Sequence, residues 1–270
     1  LDAASQPVPD QAVQWRLRRM SDGSVSTLGT LSSDAQGYSS LTLNTDRSVG
    51  DYQLWADLPQ FSQIARAEQN LSISSGPTRN LLLGHLPPMA AGDSAILTVQ
   101  ARDQVSNLVS NDQSTVLELV MPTAEFHVQP GPGIDIASTS LNGQTVERVR
   151  ATLKNGQAQL SLQAGQQVGQ FSMPISSAGN NLYYTYNSGG AISCCDSQIR
   201  LTVVPAAPAR VQLLNDQGVA QADGDVLHRG IKQDVRLQLQ LQDRFGNPVS
   251  QLAGKPANLG IQVKASRSEE

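Results

Sequence analysis

The sequence predicts an all-β protein built of antiparallel β-sandwiches in tandem, and three observations carry this prediction. Apolar and polar residues alternate in almost every apolar stretch, most clearly in residues 235–242, which read VRLQLQLQ. Such alternation places one face of a strand in a core and the other in water. Apolar spacings of three and four, which mark amphipathic helices, are hard to find. Clusters of Gly, Asn, Asp and Pro separate the stretches, as turns do in sandwiches and barrels.

The remaining predicted strands follow the same alternation. They are residues 97–101, 149–153, 160–162 and 199–203. We expect antiparallel pairing, because parallel strands need long crossovers, usually helical, and read as continuous apolar runs. Aromatic residues make up only 4% of the chain, so the cores must be built from Val, Leu, Ile and Ala. Such cores suit thin sandwiches better than large ligand cavities.

Two internal repeats indicate a modular chain. In the first, residues 34–43 match 153–162 and residues 49–52 match 168–171, both at a spacing of 119. In the second, residues 79–82 match 210–213 at a spacing of 131, and residues 97–103 match 237–243 at a spacing of 140. Loops absorb such a difference in spacing readily.

The overlap of these repeats predicts three modules. They are the latter part of one module at residues 1–76, a complete module at 77–204 and the first part of a third at 205–270. The boundaries fall in turn-rich segments, one of them stiffened by Pro205 and Pro208. In the alternative arrangement, the two incomplete end pieces complement each other or pack differently, since half a sandwich exposes strand edges.

Composition excludes several classes of function. The net charge of −4 leaves no basic surface for phosphates, so nucleic acids are not expected as partners. No stretch approaches the 18 or so uncharged apolar residues that cross a bilayer as a helix. There is no Gly-x-Ser-x-Gly elbow, and His85, His127 and His228 lack the spacing of zinc ligands. We expect no enzyme and no cofactor.

Several short motifs resemble the bacterial immunoglobulin-like group-1 modules found in tandem in invasin- and intimin-type adhesins. One is the Pro-Ala-Arg-Val segment at 208–211, and another is Asp-x-x-Gly-Asn-Pro-Val at 243–249. The others are the Asp-Ala-Gln-Gly-Tyr turn at 34–38, ahead of Val-Gly-Asp-Tyr at 49–52, and the segment 7–15. The middle module departs from this pattern, since residues 103–109 lack the Gly and the Pro, and residues 121–144 match nothing in it. Filamin-like and other immunoglobulin-type repeats are the alternative.

The resemblance implies a rod of immunoglobulin-like sandwiches that spaces a functional head from a bacterial surface. Neighbouring modules of the same chain are then the first expected partners, and the expected location is extracellular, at the cell surface or exposed to the periplasm. The resemblance does not imply that the modules themselves bind a receptor.

Four aspartates are candidate calcium ligands, because hard cations take clustered carboxylate and carbonyl oxygens. Asp103 and Asp243 stand at predicted strand ends, ahead of an asparagine, whereas Asp223 and Asp225 lie near a module boundary. The competing interpretation is that Asp and Asn shape turns through local backbone hydrogen bonds.

A tyrosine-rich loop is the candidate contact site. Tyr183, Tyr184 and Tyr186 precede the adjacent pair Cys194 and Cys195, which cannot join two sheets as an ordinary disulfide. The loop is either a recognition surface with a redox-sensitive cysteine pair or a hairpin with packed tyrosines.

The leading function hypothesis is therefore a non-catalytic structural stalk in an adhesin-type protein. A second hypothesis is that the middle module itself binds a host or cell-surface protein or glycan, through its unmatched segment at 121–144 and the tyrosine loop. A third is that the chain is an accessory region of a large secreted enzyme.

Overall fold

The chain is all-β, as the sequence predicts. The computed structural model describes residues 6–122, 125–186, 191–194, 198–215, 217–220, 238–252 and 255–256. The side chains of 122, 184–186, 191–194, 251–252 and 255–256 are not among the features described. Within these ranges the regular elements are strands, and no helix offers the length and apolar character that crossing a bilayer requires.

The first four strands form one antiparallel sheet, here called the N-terminal sheet. They are β1 (Ala12–Arg19), β2 (Val25–Ser32), β3 (Gly50–Asp57) and β4 (Ala67–Ile73), in the order β2-β1-β3-β4. Its inner face carries the buried residues Leu17, Tyr52 and Ile73, against which Leu28, Leu43, Leu54 and Leu71 pack. This is a small core on a single sheet.

The next twelve strands form the central sandwich. They are β5 (Asn80–Leu83), β6 (Met89–Ala90), β7 (Ser94–Arg102), β8 (Val116–Pro122), β9 (Phe126–Val128), β10 (Ile134–Leu141), β11 (Gln144–Thr152), β12 (Gln157–Ala164), β13 (Gly169–Ser176), β14 (Asn181–Tyr186), β15 (Ala191–Cys194) and β16 (Gln198–Val204). One sheet has the order β10-β11-β8-β13-β16-β6, and the other has the order β15-β14-β5-β7-β12-β9.

The core of the central sandwich follows from the predicted alternation. Leu97, Val99 and Ala101 on β7 are fully buried, as are Leu160 and Leu162 on β12. They belong to one apolar cluster with residues of the opposite sheet. Burying a Leu or Val side chain stabilises a fold by about 1.5–3 kcal/mol, so this cluster is the main source of the sandwich's stability. The central unit is an immunoglobulin-like β-sandwich.

Two strand pairs are parallel, which differs from the expectation of antiparallel pairing throughout. β5 pairs with β14 with Asn80 opposite Asn181, and β6 pairs with β16 with Met89 opposite Val203. The rule about crossovers applies to strands that are close in sequence. Here the partners are about a hundred residues apart, and the intervening strands of the sandwich itself make the connection.

The C-terminal strands are β17 (Pro208–Leu214), β18 (Gln238–Asp243), β19 (Gln251–Leu252) and β20 (Lys255–Pro256). β17 pairs with β18, and β19 with β20. The predicted strand at 235–242 is thus seen from Gln238 onward, because residues 221–237 lie outside the described ranges.

The strand registers correct one of the sequence matches. Asn80 stands opposite Arg102, and Arg210 stands opposite Gln242. Because 102 and 242 are matched at a spacing of 140, β5 and β17 match at a spacing of 130 and not 131. A slip of one residue exchanges the two faces of a strand. The corrected spacing aligns the buried Leu81 with Val211, not with Gln212.

The repeat at a spacing of 119 coincides with equivalent structure. β3 and β13 both have eight residues and begin at glycines 119 apart, Gly50 and Gly169, with φ of 143° and 156°. Gly37 and Gly156 also share a positive φ, 77° and 70°. No described sheet mixes strands from before residue 76 with strands from after it. The division into three modules stays a prediction.

Candidate functional site at the junction turns

Two five-residue turns, at residues 103–107 and 243–247, share one hydrogen-bonding pattern. In each, the first residue donates its backbone N–H to the fifth carbonyl, at 3.0 Å for Asp103 and 2.9 Å for Asp243. The fourth N–H donates back to the first carbonyl, from Ser106 and from Gly246, both at 3.1 Å. The turns end β7 and β18, strands that the sequence matched at a spacing of 140.

The carboxylate of Asp103 holds the first turn together and ties it to the preceding chain. Its Oδ1 accepts from the backbone N–H groups of Val105 at 3.0 Å and Asn107 at 2.8 Å. Its Oδ2 accepts from the backbone N–H of Gly76 and from Nδ2 of Asn107, both at 3.1 Å. Asp103 therefore fixes the segment that leads into β5 as well as its own turn.

The carboxylate of Asp243 makes the corresponding four bonds in the second turn. Its Oδ1 accepts from the N–H groups of Phe245 and Asn247, both at 2.9 Å. Its Oδ2 accepts from the N–H of Ala206 and from Nδ2 of Asn247, both at 2.9 Å. Asp243 therefore fixes the segment that leads into β17, just as Asp103 fixes the segment that leads into β5.

Both carboxylates are buried, with 4% of Asp103 and none of Asp243 exposed. Burial alone raises the pKa of each group, but the hydrogen bonds from the asparagine side chains and the backbone N–H groups outweigh it. The pKa of both aspartates therefore lies below its ordinary value, and both are charged at neutral pH.

The asparagine of each turn reaches across to the preceding unit. Nδ2 of Asn107 donates to the carbonyl of Arg47 at 2.9 Å, and its Oδ1 accepts from the N–H of Val49 at 3.1 Å. Nδ2 of Asn247 donates to the carbonyl of Gln166 at 2.7 Å. Arg47 and Gln166 are 119 residues apart, the spacing of the first repeat. The sequence analysis missed these two carbonyl acceptors. Their spacing of 119 residues, the same as in the first repeat, is the signal that could have revealed them.

An apolar contact accompanies the second junction. Phe245 packs against the core of the central sandwich, as Ala206 does. A Cβ at Gly92 would lie 2.8 Å from Cζ of Phe245, and Gly92 has a φ of +79°. The position therefore needs glycine, both for its backbone and for the approach of the ring.

The geometry at Asp103 and Asp243 is that of the turn-shaping interpretation. In both turns each carboxylate oxygen accepts two N–H groups. The alternative role of these aspartates as calcium ligands stays a prediction. Among the described residues no three His, Cys, Asp or Glu side chains cluster as metal ligands. Asp223 and Asp225 lie outside the described residues.

The contact-loop candidates are only partly described. Tyr183 lies on β14 opposite Leu82 of β5 and is partly buried. Tyr184, Tyr186 and Cys194 are placed by backbone alone, on the paired strands β14 and β15, and Cys195 lies outside the described residues. The role predicted for this loop stays a prediction.

Ser106 occupies the turn position that glycine fills at 246, and its φ is +71°. We expect Ser106→Gly to raise the unfolding free energy of the central sandwich by about 0.5–1 kcal/mol. A left-handed backbone conformation costs a residue with a side chain about 1–2 kcal/mol, and glycine removes that cost. The gain is smaller than the cost because glycine also increases the conformational entropy of the unfolded chain. Thermal unfolding measures this. The matched control is Ser110→Gly, an exposed serine without a positive φ, which should be neutral or destabilising. Equal shifts for both variants would refute the strain argument.

Comparison with known proteins yields fold neighbours only. No model of a known family matches the sequence, and no curated protein matches it. The similar solved structures include invasin, a bacterial integrin-binding protein, with a TM-score of 0.33 and 12% identity over 94% of this chain and 43% of that one. The Escherichia coli adhesin FdeC gives 0.37 and 17%, over 92% of this chain and 68% of that one.

A β-glycosidase from Bacteroides vulgatus gives a TM-score of 0.31 and 11% identity, over 74% of this chain and 23% of that one. The chain thus spans less than half the length of the glycosidase and of invasin. TM-scores and sequence identities this low give no basis for assigning a function to this chain. The function proposed below rests on contacts within the chain.

Proposed function

We propose that this chain is a non-catalytic run of immunoglobulin-like modules, at residues 1–76, 77–204 and 205–270, that serves as a stiff spacer in a bacterial surface or secreted adhesin-type protein. The observation that carries the proposal is the recurrence of one junction. A buried aspartate binds the N–H of the connecting segment, Gly76 in one case and Ala206 in the other. The asparagine four residues later donates a hydrogen bond from its side chain to a carbonyl of the preceding unit.

Such a junction limits bending in two ways. The connecting segment is short and is hydrogen-bonded to the next unit, so it is no free hinge. The asparagine adds a second point of attachment away from the connecting segment, and two points of attachment resist rotation that one would allow. Hydrogen bonds of this kind contribute about 0.5–1.5 kcal/mol each, enough to bias orientation without being permanent.

Small-angle scattering of the chain tests the proposal. We expect an elongated particle whose maximum dimension is the same with calcium and with chelator, since no cation is needed at the junction turns. The double variant Asn107→Ala, Asn247→Ala should show greater flexibility at unchanged secondary structure. Gln104→Ala, an exposed position in the first turn, is the control and should scatter as the wild type does. A compact wild-type particle, or a double variant as stiff as the wild type, would contradict the proposal.

One observation favours a second function, ligand binding by the central sandwich. A groove of about 430 Å³ is lined by Asn80, Leu82, Arg102, Gln104, Ser106 and Tyr183. It combines the ring of Tyr183 with planar polar side chains. That chemistry suits a glycan, which stacks on rings and accepts hydrogen bonds. A glycan array probed with the wild type and with Tyr183→Ala decides between the functions, because a spacer binds nothing and a glycan site loses its signal in the variant.

A further inference from the structure

The motif Asn-Gly-Gln occurs twice in the chain, beginning at Asn142 and at Asn155, and Asn-Gly occurs nowhere else in the sequence. In both copies the residue before the Asn stands opposite the Gln across a hairpin turn. Both asparagines have a φ of 50°, and Gly143 and Gly156 after them have φ of 79° and 70°. Positive φ at both central residues defines a type I′ turn. The same three residues therefore form the same turn at two places in the central sandwich.

The first of these turns joins β10 to β11 and is open to solvent. Asn142 and Gly143 are both exposed, and a Cβ at Gly143 would have no atom within 4 Å outside the adjoining residues. Neither the N–H of Gly143 nor the side chain of Asn142 is hydrogen-bonded to another residue in the described part of the chain. Within that part of the chain, only the two strands of its own hairpin hold this turn.

The second turn, at Asn155 and Gly156, is held by the rest of the sandwich. The N–H of Gly156 donates to the carbonyl of Asp112 at 2.8 Å. Nε2 of Gln113 donates to Oδ1 of Asn155 at 2.6 Å. Gly156 is buried, and the carbonyl of Val109 leaves no room for a Cβ beside it. The backbone nitrogen and the side-chain amide of this motif are therefore both engaged.

An Asn-Gly pair has a reaction of its own, because glycine has no Cβ to hinder the approach of its nitrogen to the asparagine side chain. The glycine nitrogen gives up its proton and bonds to Cγ of the asparagine, which closes a succinimide ring, and the side-chain nitrogen leaves as ammonia. Water then opens the ring at either carbonyl. The product is aspartate or isoaspartate, in which the chain continues through the side-chain carboxyl carbon.

The two turns differ in the groups that this reaction needs. Ring closure requires a glycine nitrogen that is free of hydrogen bonds and a turn that can open far enough for that nitrogen to reach Cγ. Segments with few contacts open at a small cost in free energy, whereas packed segments open at a larger one. We propose that Asn142 is a site of spontaneous deamidation in the folded protein, while the contacts of the sandwich protect the identical motif at Asn155.

The modification changes the tip of the β10–β11 hairpin and not the core. Aspartate adds a negative charge there, and isoaspartate adds a backbone atom, which a two-residue turn between Leu141 and Gln144 does not accommodate. The nearest buried side chain along β11 is Val146, beyond the exposed Gln144 and Thr145. The inference does not rest on the spacer proposal, since the reaction needs only this hairpin.

Mass spectrometry of the whole chain, aged while folded at mildly alkaline pH, tests the proposal. Digestion in acid suppresses further reaction, and electron-transfer fragmentation distinguishes isoaspartate from aspartate. We expect the initial rate at Asn142 to be at least about ten-fold that at Asn155, because the contacts that hold the second turn must break together before it reacts. Asn142→Gln is the control for the assignment and should abolish the product at this position, since the longer side chain closes a ring far more slowly.

The chain unfolded in guanidinium chloride is the control for local sequence. Both motifs then lose their turns, so the rate at Asn155 should rise until the two rates are similar. Equal rates in the folded chain would overturn the proposal. So would a preference for Asn142 that persists unchanged in the unfolded chain, since sequence and not fold would then decide the rate. An Asn142 that reacts only after unfolding would overturn it as well.

Discussion

Asp103→Ala is expected to lower the unfolding free energy of the central sandwich by about 3 kcal/mol. The substitution leaves the N–H groups of Gly76, Val105 and Asn107 and the Asn107 amide without their acceptor. Each orphaned buried polar group costs about 1–3 kcal/mol, and water reaching a turn recovers part of that cost. The loss should therefore exceed that of an ordinary surface substitution several-fold.

The location of the tryptophans allows the unfolding of the central sandwich to be measured separately from that of the N-terminal sheet. Both of them, Trp15 and Trp55, lie in the N-terminal sheet. Tryptophan fluorescence therefore follows the N-terminal sheet, whereas amide hydrogen exchange on β7 and β12 follows the central sandwich. The matched control is Asp135→Ala on the exposed side of β10, which should change stability by less than about 0.5 kcal/mol. Equal effects at 103 and 135 would mean that the carboxylate of Asp103 is not structural.

Acid is expected to destabilise the central sandwich, chiefly through Asp112. Its Oδ2 accepts from the hydroxyls of Thr78 and Thr115, and its Oδ1 from the N–H groups of Ser114 and Thr115, at 3.0 and 2.9 Å. Burial opposes ionisation, but these hydrogen bonds outweigh it and lower the pKa of Asp112 from 3.8 to about 2. Because the unfolded chain then binds the proton more tightly, the group stabilises the fold above its unfolded pKa and loses that effect as pH falls through 2.

The shift corresponds to about 2 kcal/mol at neutral pH, lost progressively between about pH 5 and pH 1. Urea unfolding at several pH values measures it. Asp112→Asn keeps one acceptor oxygen and does not titrate, so its stability should fall less steeply, and the two curves should converge toward pH 2. Asp135→Asn, at an exposed position, is the control for the Asp-to-Asn substitution itself and is measured at pH 7. Parallel curves for wild type and Asp112→Asn would contradict the assignment. Asp103 and Asp243, whose pKa values are also lowered, contribute with the same sign.

Local pattern was enough to predict five of the strands, namely β7, β11, β12, β16 and β18. Alternation placed β7, β12 and β16 within a few residues, because a strand with one buried face must alternate whatever its partners are. The turn at 103–107 was also open to sequence reasoning, since Asp and Asn at this spacing favour local hydrogen bonds with the backbone.

Partners that are distant along the chain could not be predicted in the same way. The N–H of Gly76 reaches Asp103 across 27 residues, and the carbonyl of Arg47 reaches Asn107 across 60. Any residue but proline supplies such backbone groups, so no side-chain pattern marks them. The one-residue error between β5 and β17 has a similar origin, because a match on four residues cannot fix the register that the neighbouring strand sets.

The parallel pairing of β6 with β16 has a mechanical consequence. β6 stands near the start of the central sandwich and β16 at its end, joined at Met89 with Val203 and Ala90 with Val204. The N–H of Ala91 extends the ladder to the carbonyl of Val204, at 2.9 Å. When two parallel neighbours are pulled by opposite ends, their hydrogen bonds are loaded together in shear and cannot open one by one. Tension that passes through β5 to β6 while β16 is pulled from its far end therefore loads this short ladder in shear.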